Sequence, residues 1–99
     1  MNGGKMLVNL TEVFENPTTK SYSLREVLIN PEHVAAVRED WTARQALTES
    51  RMPTGLNQDV SFSRLTMSAG QHGLHMTVVG APSVIGEKLN KDSRKLLKG

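Results

Sequence analysis

Residues 74–80 constrain the fold more than any other stretch. Leu74, Met76 and Val78 alternate there with His75, Thr77 and Val79. Successive side chains of an extended chain point to opposite faces, so this spacing predicts a half-buried β-strand. Four further stretches fit the same reading. In residues 6–14, Met6, Val8 and Leu10 fall on one face, opposite Asn9 and Thr11. In residues 20–29, Tyr22, Leu24 and Leu28 oppose Ser21, Ser23 and Arg25. Residues 34–38 form a short strand of small side chains, which suits close packing of another element above it. In residues 60–68 the phase is mixed. Val60 and Phe62 share one face and Leu65 and Met67 the other, which predicts either a bulge or cover on both faces.

Turn chemistry separates these strands. Asn16 and Pro17 join the first two as an antiparallel hairpin, because Asn16 can bond its own backbone and Pro17 presets φ. Asn30-Pro31-Glu32-His33 ends the second strand, since Pro31 has no N–H to donate. A short turn or single helical turn is expected to follow. Gly70 and Gly73 supply a turn between the fourth and fifth strands. Residues 39–59 read as an insertion between strands three and four. Within it, residues 42–50 carry helix formers with Thr42 as the cap, and Ala43, Ala46 and Leu47 are the apolar anchors. A C-terminal helix follows Pro82, with Ser83 as its cap and Ile85, Leu89 and Leu96 in one stripe. The expected fold class is therefore α+β. It is a small, mainly antiparallel five-stranded meander, open or rolled, with one C-terminal helix and a long insertion between strands 3 and 4. At 99 residues the chain is read as a single domain over 6–98, with a flexible N-terminus at 1–5.

Leu10-Thr11, then Leu28-Ile29-Asn30-Pro31-Glu32-His33-Val34 through Val37, resembles the opening half of the FlbD family of small proteins encoded among flagellar genes. Thr77-Val78-Val79, then Ser83-Val84-Ile85 through Glu87-Lys88-Leu89, resembles that family's closing strand and helix. Short uncharacterised phage-encoded proteins have a similar look. The resemblance covers about half of the chain. It implies a small β-meander with a terminal helix and no known catalytic centre. The chain departs from the pattern in its longer first hairpin, its insertion at 39–59 and its extended helix.

Composition narrows the chemistry. The chain has no Cys, which removes disulfides, thiolate catalysis and Cys-based zinc sites. No apolar run approaches the roughly 20 residues of a membrane-spanning helix, and no secretory leader pattern stands at the N-terminus. A cytoplasmic location and no membrane contact are therefore expected. His72 and His75 flank a glycine-rich turn, but zinc needs a third ligand and no acidic residue lies between Asp59 and Glu87. No metal site and no cofactor are expected. His33 reads as a capping or surface residue. No serine stands in a Gly-x-Ser-x-Gly elbow, and Glu39 and Asp40, adjacent on an extended chain, point apart. The chain is not expected to be an enzyme.

Binding is the remaining class. Trp41 is the only Trp, and with Met52 and Leu56 it forms a candidate partner-binding set. The alternative use of Trp41 is a lid on the core. A core built on Phe14, Tyr22, Phe62 and Trp41 is modest, and a sheet of this size has two edges. A homo-oligomer, most often a dimer, is therefore expected. The favoured function is a non-enzymatic protein-interaction module, a small accessory or regulatory factor that self-associates. The alternative is a nucleic-acid-binding protein using Lys88, Lys91, Arg94, Lys95 and Lys98 on the C-terminal helix. Residues 88–99 carry +4, whereas residues 1–87 carry −2. A basic stripe of this kind can bind phosphate by counterion release, though no aromatic residue accompanies it to stack bases. Arg25, Arg38 and Arg64 could form a second patch if their strands bring them to one face.

Overall fold

The computed structural model describes residues 6–68 and 74–98, with the surroundings of side chains through residue 90. The expected loose end at 1–5, the turn at 69–73 and His72 within it lie outside the described residues. The elements run β1 (Val8–Glu15), β2 (Tyr22–Ile29), a 3-10 turn (Pro31–His33), β3 (Val34–Glu39), α1 (Trp41–Thr48), β4 (Phe62–Met67), β5 (Leu74–Val79) and α2 (Pro82–Lys98). The five strands form one sheet in the order β2-β1-β5-β4-β3, every neighbouring pair antiparallel. This is the α+β architecture the strand and turn pattern predicts. No helix among the described residues is long and apolar enough to cross a membrane.

The order has a geometric consequence. Strands adjacent in sequence are neighbours in the sheet except β2 and β3, which occupy opposite edges; β5 pairs with β1 instead. Reversing direction at every pairing gives β2 and β3 the same sense. The chain therefore carries on around a corner at Pro31 rather than turning back. A flat sheet would separate its outer strands by about 19 Å, at roughly 4.8 Å per step. The link between them is short, and most of it is coiled into a 3-10 turn that rises only about 2 Å per residue. The sheet must therefore roll until the end of one edge meets the start of the other.

Local chemistry explains the corner and the hairpin. Asn30 caps the 3-10 turn by accepting the Glu32 N–H at 2.9 Å, and Pro31 occupies its first position. Ser68 N–H then donates to the His33 carbonyl at 2.8 Å, tying the end of β4 to the corner. In the first hairpin, Asn16 Oδ1 accepts the Thr18 N–H at 2.9 Å, and Lys20 takes a positive φ of 64°.

Rolling produces two apolar clusters, one on each side of the sheet. Inside, Leu10, Ile29, Leu65 and Val78 meet Ile85 and Leu89 of α2. Outside, at one end, Val13 and Phe62 meet Ala43, Ala46 and Leu47 of α1 together with Met52. This resolves the mixed phase of β4. The β4–β5 register is continuous, with no bulge, and both faces are covered: Phe62 by α1, Leu65 by α2. Full burial of each such side chain contributes about 1.5–3 kcal/mol. Among the described residues the one register shift lies in β3, between Val34 and Ala36.

Both helix starts differ from the sequence reading. α1 is capped by Asp40, whose Oδ1 accepts the Ala43 N–H at 3.0 Å, and not by Thr42. Asp40 wins because it is tied down elsewhere. Its N–H donates to Phe62 O at 2.9 Å, and its second carboxylate oxygen accepts from Thr77 Oγ1 at 2.5 Å. α2 opens two residues early, with Pro82 as the first helical residue rather than Ser83 as cap, and Ile85 N–H donates to Ala81 O. Pro suits that position, where its missing N–H has no helical acceptor. The segment after α1 packs against the second cluster. Arg44 Nη1 holds it by donating to the Gln58 and Val60 carbonyls, each at 2.7 Å.

Candidate functional site

Among the described residues β1 and β5 pair only at Glu12↔Val78 and Val13↔Thr77. Beyond that point they diverge, because β1 follows its hairpin with β2 while β5 follows β4. The divergence opens a cleft of about 360 Å3, lined by Glu12, Glu15, Tyr22, Asp40, Arg64 and His75 among others. Several of these groups are already engaged. Glu12 accepts from Arg25 Nε at 2.9 Å, and this bond holds the Arg25 guanidinium above its usual value, so it stays charged wherever the chain folds. Arg25 also lies over the Phe14 ring, 4.3 Å from its centroid. Asp40 is committed to the α1 cap and Thr77. Among the described residues no group of three or more His, Asp or Glu side chains is arranged to hold a metal ion.

Next to the cleft lies a basic row. The register places Arg38 opposite Arg64, Arg64 opposite Thr77, and Thr66 opposite His75. Arg38, Arg64 and His75 are all exposed, and Thr66 Oγ1 lies 3.3 Å from His75 Nδ1. Like charges placed directly opposite on a sheet destabilise it, by up to about 1 kcal/mol. The ion pairs among the described residues are Arg25–Glu12 and Arg51–Glu49, so neither Arg38 nor Arg64 belongs to one. Of the three arginines suspected of sharing a patch, two do. Arg25 pairs in register with Glu12, which opposes Val78, and so lies on the other face.

The candidate partner-binding residues separate. Trp41 is 70% exposed at the start of α1 and does not cover the core. Met52 is buried in the outer cluster, and Leu56 is half-buried against it. Both support the segment behind α1 and leave Trp41 as the displayed residue.

A second exposed feature was not singled out from sequence. β2 is an edge strand. The bond from Asn16 N–H to Ser21 O sets the alternation, so Tyr22, Leu24, Glu26 and Leu28 turn their N–H groups away from β1. The Arg51 carbonyl accepts the Tyr22 N–H at 3.3 Å. For Leu24, Glu26 and Leu28 no acceptor stands among the described residues. Leu28 is 57% exposed on this edge, although Tyr22 and Leu24 on its face reach the outer cluster. The opposite face of β2, with Val27 and Ile29, enters the inner core. The signal for this was Val27 and Ile29 themselves, alternating with Glu26 and Leu28.

Lys88 is exposed on α2. The side chains of Lys91, Arg94, Lys95 and Lys98 lie outside the described residues. Comparison with protein-family models, with characterised proteins and with solved structures finds no match to this chain.

Proposed function

We propose that this chain is a non-enzymatic protein-interaction module, a small accessory or regulatory factor that pairs with a second copy of itself. The observation that carries this reading is Trp41, 70% exposed on a helix that is itself firmly placed. Ala43, Ala46 and Leu47 bury the other side of α1, and Asp40 caps it. The indole is therefore presented by a packed element, and large aromatic side chains supply much of the energy of protein interfaces. The open β2 edge supports a second copy as the partner. An unpaired strand can pair antiparallel with its own copy about a two-fold axis, which closes the contact without forming a fibre. Engagement of Glu12 and Asp40 in structural bonds supports binding over catalysis in the cleft.

Trp41 is also the natural reporter, being the only Trp. Its fluorescence should shift to the blue, and its quenching by iodide should fall, as protein concentration rises from about 1 μM to 1 mM. Emission and quenching that stay constant over that range would remove Trp41 from any self-contact.

A further inference from the structure

We infer that the outer face of β3, β4 and β5 is a phosphate-binding site built from Arg38, Arg64 and His75. The cross-strand register brings the two guanidinium groups from adjacent strands to one face, and His75 enters from the third. A surface cavity of about 340 Å3 is lined by Arg38, Glu39, Arg64, Thr66 and His75. The two arginines outnumber the single carboxylate of Glu39, so the cavity is net positive. Glu39 opposes Ser63 in register and forms no ion pair with either arginine among the described residues.

Each guanidinium offers a planar fork of donors that matches phosphate or carboxylate. Two forks from adjacent strands carry two positive charges, of which one carboxylate cancels only one. A phosphate presents more oxygens and more charge, and can accept from both while cancelling their repulsion. The Thr66–His75 pair, whose members bond each other, adds a further donor beside them. All four residues stand on strands, so their backbone positions are fixed before the ligand arrives. The ligand is a phosphate group on an open surface, from free phosphate or from the phosphodiester backbone of a single-stranded nucleic acid. This inference does not rest on the reading of Trp41 as an anchor for self-association.

The test is thermal unfolding of the full chain in chloride, in inorganic phosphate, and with a short oligothymidylate, all at matched ionic strength. At least one phosphate probe should raise the melting temperature above the chloride value, increasingly with concentration. A response to inorganic phosphate assigns the free ion, and a response to the oligonucleotide alone assigns the diester backbone. Arg38→Gln/Arg64→Gln should lose the response while melting no lower in chloride, since it removes a like-charge pair. Arg64→Lys keeps the charge without the fork, and should weaken the response without abolishing it. Melting temperatures that match chloride with both probes would overturn the site, as would an undiminished response in the double variant.

Discussion

Two glycines near the start of α2 should answer the same substitution in opposite directions. Gly80 has φ +129°, and a Cβ there would lie 2.9 Å from Ile85 Cδ1. Its N–H and carbonyl are also fixed, to Ser61 O at 2.8 Å and Ser63 Oγ at 2.7 Å, so the backbone cannot relax freely. Gly80→Ala should destabilise the chain by about 1–3 kcal/mol in urea unfolding. Gly86 lies within α2, and a Cβ there meets nothing within 4 Å. Gly86→Ala should stabilise by about 0.5–1 kcal/mol in the same assay. Asp40 is the other residue on which much converges. Asp40→Ala removes the α1 cap and leaves Thr77 without its acceptor, at a cost of about 1–3 kcal/mol. Thr42→Ala, by contrast, should change stability by less than about 0.5 kcal/mol, because Thr42 is exposed and does not cap the helix.

At the scale of elements, short-range chemistry was legible and long-range pairing was not. Turn residues at Asn16 and Asn30 act as their side chains dictate, and alternation located β1, β2 and β5. Anchors Ala43, Ala46 and Leu47 also pack as their spacing implies. The α1 cap was missed because it depends on partners distant in sequence. Asp40 is preferred over Thr42 through Phe62 and Thr77. The mixed phase of β4 left two explanations open, and only the positions of α1 and α2 decide between them. Arg38 and Arg64 needed the β3 register, which contains a shift that no local pattern announces. The open edge of β2 belongs to this scale too. Lysine on an edge strand discourages pairing with another chain. Leu28→Lys should therefore weaken self-association without lowering the melting temperature of dilute protein, because Leu28 is exposed and outside both clusters. Concentration-dependent gel filtration beside dilute-solution melting would check both halves.

The whole molecule is a rolled sheet with helices on its two sides, and its surfaces divide accordingly. α2 closes the inner face and α1 covers one end of the outer face, leaving the basic row of β3, β4 and β5 in solvent. Trp41 stands beside Asp40, where α1 begins, and β2 presents its edge. Sedimentation equilibrium of the full chain and of Trp41→Ala tests the central claim most directly. The wild-type chain should show a reversible monomer–dimer equilibrium, and Trp41→Ala should weaken it by about thirtyfold or more, consistent with loss of an interface anchor worth about 2 kcal/mol or more. A wild-type chain that remains strictly monomeric to about 1 mM, or a dimer indifferent to Trp41→Ala, would contradict the account.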